Sequence, residues 1–123
     1  MEKNVVNWFE IPVNDLTRAK GFYSELLGKD LQDLDMPNTE MSAFPMVENG
    51  EYATGALVKS EGYEPSQKGI AVYFHCDDVN EPLGKVESLG GKVLVPKMSI
   101  GENGFIAHII DSEGNRVALH SVK

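Results

Sequence analysis

The sequence predicts an α+β protein built from two βαβββ units, because the same order of helix starts and helix ends occurs twice. Asp15 and Asp78 each follow a strand-like stretch and open a helical pattern. Gly28 and Gly91 follow those helices, and both pairs are separated by 63 positions in a chain of 123 residues. Two pairs with one spacing predict a duplicated unit, and therefore two units in this chain.

The first unit is predicted over residues 4–59 and opens with a strand over 5–13, in which apolar and other residues alternate. A helix follows with one apolar face, formed by Leu16, Ala19, Phe22, Tyr23, Leu26 and Leu27. Asn14 or Asp15 can cap its first turn, and Gly28 ends it. Strands are expected near 30–35, 41–48 and 52–59, with Asn49-Gly50 as the hairpin turn between the last two.

The second unit is predicted over residues 69–121 and repeats this order. We expect a strand over 70–76, with Ile70, Val72, Phe74 and Cys76 on one face, and a helix over 79–89. Three strands near 92–96, 104–110 and 115–121 complete the unit. Residues 62–69 carry the glycine, proline and serine typical of a connection. The whole chain, 1–123, is thus expected to be a single domain, in which a curved sheet encloses a cavity.

Composition limits the functional classes. A net charge of −8 argues against nucleic acid or an anionic membrane surface as a partner. No stretch has the roughly 20 apolar residues of a membrane span. The start of the chain leaves no room for a secretory signal, and the single cysteine, Cys76, excludes an internal disulfide. We therefore expect a cytoplasmic protein.

Two motifs resemble those of the vicinal-oxygen-chelate superfamily, which includes glyoxalases, bleomycin-resistance proteins and dioxygenases. The first contains Val13, Asp15, Leu16, Phe22, Tyr23, Leu27 and Gly28. The second is the turn Asp111-Ser112-Glu113-Gly114-Asn115-Arg116 before the last strand. The resemblance spans the chain and implies a glyoxalase-like fold, but that fold carries many different chemistries.

The resemblance also implies where metal ligands would lie in a metal-dependent member. Those positions fall at Trp8, Gly55, Ala71 and Ala118, and none of these residues has a side chain that binds Ni, Zn or Fe. We therefore expect no cofactor and no metal at these four positions.

The next positions on the predicted concave face are Glu10, Leu57, Tyr73 and His120. With Trp8 and His75 they are the predicted ligand-binding residues, because a few polar groups in an apolar wall are typical of a small-molecule pocket. Glu10 and His120 are candidate catalytic residues, and Glu10 is equally compatible with a role in holding the sheet together. Glu10, His75 and His120 also have the composition of a displaced metal site.

Three functions remain open from the sequence. The first is binding of a small organic molecule without metal, as in the bleomycin-resistance branch. The second is a lyase, isomerase or dioxygenase-type enzyme that uses Glu10 and His120, with or without a displaced metal. The third is a structural role, with side chains filling the cavity. A homodimer is expected, because the family commonly pairs units across a twofold and because open sheet edges need covering.

Overall fold

The computed structural model describes residues 3–123 and contains the two predicted βαβββ units. The first consists of β1 (Trp8–Pro12), α1 (Leu16–Leu27), β2 (Gln32–Met36), β3 (Thr39–Ala43) and β4 (Thr54–Lys59). The second consists of β5 (Tyr73–His75), α2 (Asn80–Leu83), β6 (Lys92–Ser99), β7 (Phe105–Ile110) and β8 (Arg116–Ser121), with a 3₁₀ turn at Gly101–Asn103. The α+β class and the repeated order are confirmed.

Each unit forms a four-stranded sheet with one strand order. The orders are β1-β4-β3-β2 and β5-β8-β7-β6. In each sheet the first strand lies parallel to the last, and the other neighbours are antiparallel. Among residues 3–123, no helix is both long enough and apolar enough to cross a membrane.

Helix α1 begins and ends as its sequence predicts. The Asp15 side chain accepts a hydrogen bond from the Arg18 amide at 3.0 Å, which satisfies one free donor of the first turn. Gly28 ends the helix with a φ of 65°, a left-handed conformation that glycine adopts without steric cost. Ala19, Phe22, Tyr23 and Leu26 are buried on its inner face.

The second helix is much shorter than predicted. Asp78 starts it through a hydrogen bond to the Asn80 amide, but regular α-helix covers Asn80–Leu83 and not 79–89. Beyond it, the amides of Lys85 and Val86 bond to carbonyls only three residues back. Gly84 is the first residue beyond this helix, and a glycine weakens a helix by about 1 kcal/mol relative to alanine.

The strand predicted over 70–76 and the hairpin turn predicted at Asn49-Gly50 both differ from the structure. Residues 70–72 precede β5, and Ile70 is 93% exposed, so it does not pack beneath a helix. Strands β3 and β4 are joined by residues 44–53, so Asn49-Gly50 is not a two-residue hairpin turn. Asn49 still has a φ of 60°, and the Gly50 amide bonds to the carbonyl of Val47, so the turn lies inside a longer loop.

One hydrophobic core joins the two units on the helix side of both sheets. Its aromatic centre is formed by Phe9, Tyr23, Phe44 and Phe74, whose ring centroids lie 5.4–6.1 Å apart where they contact. Ile11, Leu57, Ile109 and Leu119 surround it. Since side chains alternate along a strand, the opposite face of each sheet points away from this core.

The two units are not related by one constant spacing. In β1 and β4 the paired residues Trp8 and Thr54 are 46 positions apart. In β5 and β8 the paired residues Tyr73 and Ala118 are 45 positions apart. A spacing of 63 therefore cannot hold for both strand pairs, and a shift of one residue exchanges the two faces of a strand.

Candidate functional site

The candidate site residues occupy the sheet faces that point away from the shared core. We call the face with Trp8, Glu10, Ala56 and Val58 the first open face. The face with Tyr73, His75, Ala118 and His120 is the second open face. The register of β7 on β8 adds Ile106 and His108 to the second face, opposite His120 and Ala118.

The structure corrects the predicted position of Leu57, which was expected to face the cavity beside Glu10. It pairs with Ile11 and is fully buried in the core on the helix side. The residue paired with Glu10 is Ala56. Gly55 likewise lies opposite Phe9 and not on the open face, so its placement among the former ligand positions was wrong by one residue.

Trp8 is half-buried against a small apolar cluster on the first open face. Met41, Ala43, Ala56 and Val58 form this cluster. The Trp8 indole therefore covers apolar surface that a ligand would otherwise contact. Its Nε1 donates a hydrogen bond to Glu10 Oε2 at 3.3 Å.

Glu10 is exposed, and neither of its hydrogen-bond partners is a histidine. Its second oxygen accepts a hydrogen bond from the Tyr63 hydroxyl at 2.9 Å, and this bond raises the pKa of Tyr63. The carboxylate thus fastens the connection between the units to β1. Glu10 therefore does not pair with His120, the other candidate catalytic residue, because neither hydrogen bond that it accepts comes from a histidine.

His120 has a defined donor direction. Its Nε2 lies 2.7 Å from the backbone carbonyl oxygen of Asn103, and a carbonyl oxygen only accepts hydrogen bonds. Nε2 must therefore carry the proton, and in the neutral imidazole Nδ1 is the atom with a free lone pair. No residue among 3–123 donates to that Nδ1, so His120 can accept a hydrogen bond or a proton there.

Tyr73 lies at the end of a chain of hydrogen bonds on the second open face. Its hydroxyl is 3.1 Å from His108 Nε2, and Arg116 Nε donates to His108 Nδ1, also at 3.1 Å. Burial, with the Arg116 charge, lowers the pKa of His108. The sequence left the faces of β7 unassigned, so His108 and Arg116 were not predicted, although pairing β7 with β8 would have placed them.

His75 completes the second open face at its exposed end. It pairs with His120, and its ring centroid lies 4.8 Å from that of Tyr52 in the β3–β4 loop. Ala71 is exposed and precedes β5. All three histidines of the chain, His75, His108 and His120, therefore lie on one face of one sheet.

The second sheet differs from the rest of the protein in charge. The chain has 19 acidic and 11 basic residues, yet none of the strands β5–β8 contains aspartate or glutamate. The same strands contain Lys92, Lys97 and Arg116 with the three histidines. Lys97 is paired with Asp78, but the lack of acidic side chains in these strands favours an electron-rich ligand over a cationic one at this sheet.

The two main depressions among residues 3–123 lie away from the predicted ligand-binding residues. Both are open, one of about 590 Å³ beside Lys59 and Tyr63 and one of about 400 Å³ beside Lys20 and Asp30. Neither is lined by any of the six predicted ligand-binding residues. Glu10 lies on the first sheet and bonds to Tyr63, whereas His120 lies on the second sheet and bonds to Asn103. The predicted catalytic pair is therefore not assembled within the described part of the chain.

The residues present do not fit a metal ion. Trp8 and Ala118 lie on the open faces without donor atoms, while Gly55 and Ala71 lie off them. Within residues 3–123, no three or more histidine, cysteine, aspartate or glutamate side chains are grouped so that they could hold a metal. Glu10, His75 and His120 are therefore not brought together as a displaced site in one chain.

The turn between β7 and β8 connects the second unit to the start of α1. Glu113 accepts from the amides of Asn14 and Asp15 at 2.9 and 2.8 Å and from Arg18 Nε at 2.6 Å. Asp111 accepts from the buried Tyr23 hydroxyl at 2.5 Å. This motif, which the resemblance rested on, therefore has a structural role: it holds the second unit to the end of β1 and the start of α1.

The family model of the glyoxalase/bleomycin resistance protein/dioxygenase superfamily matches residues 5–119 of this sequence. The chain belongs to this superfamily. It is 30% identical over 114 residues to CFP32 of Mycobacterium tuberculosis, a protein whose name calls it a glyoxylase. That match covers 92% of this chain and 44% of CFP32, so the chain spans less than half the length of this relative.

Solved structures of superfamily members share the fold. Glyoxalase I from Zea mays matches with a TM-score of 0.73 and 25% identity, over 93% of this chain and 44% of the maize chain. TnmS3, an antibiotic binding protein from Streptomyces sp. CB03234, matches with a TM-score of 0.68 and 23% identity. This match covers 100% of this chain and 99% of TnmS3. The two proteins therefore share one architecture from end to end.

Proposed function

We propose that this chain, as one glyoxalase-like domain over 1–123, binds a small organic molecule at its open faces without a metal centre. The observation that carries the proposal is the second open face. There an imidazole–phenol row of Tyr73, His75, His108 and His120 lies beside apolar Ala118 and Ile106. Polar groups of defined direction in an apolar surface are what orients a small ligand.

The positions of a metal centre support binding over metal chemistry. Trp8 packs on Met41, Ala43, Ala56 and Val58 where a metal-dependent relative would present a ligand. We expect protein purified without added metal to contain no stoichiometric Ni, Zn or Fe, because Trp8 and Ala118 offer no donors. Elemental analysis by mass spectrometry checks this, and one metal per chain would contradict it.

We further propose that the open faces are completed by a second copy of the chain. Each face points away from the core, and Glu10 is exposed on the first face, as Tyr73 and His75 are on the second. A twofold would bring the first open face of one copy to the second open face of the other, and so Glu10 and Trp8 to Tyr73 and His120.

The expected result in sedimentation velocity is a dimer at micromolar concentration. Exposed Tyr73 is a suitable position for a disruptive arginine, and Tyr73→Arg should shift the protein toward the monomer. Asp35→Asn, a change in β2 away from both open faces, should leave the dimer intact. A wild-type monomer at that concentration would rule the assembly out.

Ligand binding can be followed with the chain's own fluorophore. Trp8 is the single tryptophan and lies in the proposed site, so a bound aromatic compound should quench its emission. Thermal-shift screening can identify a ligand. We expect Glu10→Gln and His120→Ala each to lower the affinity for that ligand by roughly tenfold. Their melting temperatures should change little, because Glu10 is exposed and His120 only half-buried.

The control for this experiment is Asp35→Asn, which should bind as the wild type does. Unchanged binding in both site variants would show that Glu10 and His120 serve the structure alone. A large loss of stability without any loss of affinity would lead to the same conclusion.

One observation favours an enzymatic alternative of the lyase or isomerase type. His120 has a free Nδ1, and Tyr73 pairs with Ala118 two residues before it, so a base and a phenol lie near each other on one face. Turnover of a bound carbonyl compound that is lost in His120→Ala but unaffected by a chelator would favour this alternative over simple binding.

A further inference from the structure

We propose that Tyr73 is the directed hydrogen-bond donor of the second open face. Through the chain Arg116–His108–Tyr73 it presents its hydroxyl proton to a carbonyl or carboxylate oxygen of the ligand. This inference rests on the proposed function and names the chemical class of the ligand group. His108 and Arg116 act as positioning residues, and Tyr73 is the residue that contacts the ligand.

The direction of the chain follows from its first member. A guanidinium has only donors, so Arg116 Nε must donate to His108 Nδ1, which therefore has no proton. The remaining imidazole proton then lies on Nε2, which donates to the Tyr73 oxygen at 3.1 Å. With its oxygen lone pair engaged in this way, the Tyr73 hydroxyl has its own proton free for an outside acceptor.

The surroundings favour the neutral, directed form of His108. Its burial and the nearby Arg116 charge both lower its pKa, so the imidazole remains uncharged and keeps one donor and one acceptor. The Tyr73 and His108 rings meet edge to face, with centroids 5.5 Å apart and planes at 87°, which restricts both rings. The hydroxyl is therefore held in one direction.

The charge of the sheet selects the acceptor. Strands β5–β8 contain no carboxylate that could compete for the Tyr73 proton, and Lys92 lies on the same face as Arg116 through their common partner Ile110. A carbonyl or carboxylate oxygen placed at Tyr73 thus gains a donor without meeting a carboxylate of these strands. A cationic or purely hydrocarbon ligand gains neither.

Imidazole ¹⁵N NMR of the labelled protein tests the hydrogen-bond chain Arg116–His108–Tyr73 without any ligand. We expect neutral His108 to have a protonated Nε2 and an unprotonated Nδ1. Arg116→Gln should raise the pKa of His108 and mix its tautomers. The control Lys92→Gln removes a charge from the same face but not from the hydrogen-bond chain, so it should change neither the pKa nor the tautomer of His108. A protonated Nδ1 in the wild type would overturn the proposal.

Binding of three matched probes tests the acceptor class. 2-Acetylnaphthalene and 2-naphthoate carry an acceptor oxygen, and 2-ethylnaphthalene has nearly the shape of the first without one. We expect the oxygen-bearing probes to shift the His108 signals. Tyr73→Phe should lower the affinity for 2-acetylnaphthalene roughly three- to tenfold and leave the affinity for 2-ethylnaphthalene unchanged.

The outcomes separate this inference from the proposed function. If all three probes bind equally and Tyr73→Phe changes nothing, the open face binds small molecules but Tyr73 is not its donor. If no probe binds at any accessible concentration, neither the proposed function nor this inference stands, whatever the tautomer of His108.

Discussion

Replacing Glu113 by glutamine is expected to lower the free energy of unfolding by about 3 kcal/mol at pH 7. The Glu113 side chain is fully buried in the β7–β8 turn. Burial alone would raise the pKa of its carboxyl, but hydrogen bonds from Arg18, from the Asp15 and Asn14 amides and from Ser112 outweigh it and lower the pKa from 4.5 to about 2. The ionised form is therefore strongly preferred in the folded protein.

The pH dependence of this stabilisation has a defined sign. Because the folded pKa lies below the unfolded value, the contribution of Glu113 is complete above about pH 4.5 and is lost as the pH falls toward 2. Urea denaturation at several pH values should thus show wild type and Glu113→Gln diverging between pH 2 and 5 and running parallel above. The difference between the curves isolates Glu113 from the other carboxylates.

The control is Glu87→Gln, which removes an exposed carboxylate of the second unit. Its unfolding free energy should stay within about 0.5 kcal/mol of the wild type. Curves for wild type and Glu113→Gln that remain parallel down to pH 2 would show that the buried network does not depend on an ionised Glu113.

Replacing Gly55 by alanine is expected to destabilise the protein by at least about 3 kcal/mol, the upper range for overpacking. A Cβ at this position would lie 2.2 Å from the Phe9 carbonyl oxygen and 2.7 Å from Phe9 Cγ. Strands β1 and β4 would have to separate, which also moves the adjacent Trp8. Chemical denaturation should therefore show a lower midpoint, and Trp8 emission in the folded protein should shift to longer wavelength.

Gly21→Ala is the matched control, since nothing lies within 4 Å of a Cβ built at Gly21 in the middle of α1. Alanine is the better helix former there, so this variant should be more stable by up to about 1 kcal/mol. If Gly55→Ala were as stable as the wild type, the close approach of β4 to Phe9 would not require a glycine at this position.

Much of the fold could be predicted because it depends on local patterns. Alternation in β1 and β5 placed Phe9, Ile11 and Phe74 toward the helices, and the structure buries these side chains against one core. The same alternation placed Glu10 and Tyr73 on the opposite faces. The capping of α1 by Asp15 and its termination at Gly28 likewise follow from short-range stereochemistry.

The site depended on register, which the sequence alone does not determine. The one-residue difference between the β1–β4 and β5–β8 pairings places Leu57 in the core and Gly55 against Phe9, because side chains alternate with a period of two. Pairing of β7 with β8 brings His108 beside Tyr73 and Arg116, although the repeat pattern gave no reason to join them.

By itself, the sequence of this protein determined the two βαβββ units and the helix-facing side of each first strand. These properties depend on residue type and on spacing along the chain. Only the tertiary structure decided that Glu10 bonds to Tyr63, that His120 bonds to Asn103, and that Glu113 locks the units together. Those partners lie 17 to 98 positions apart, and it is the packing of the whole chain that brings them into contact.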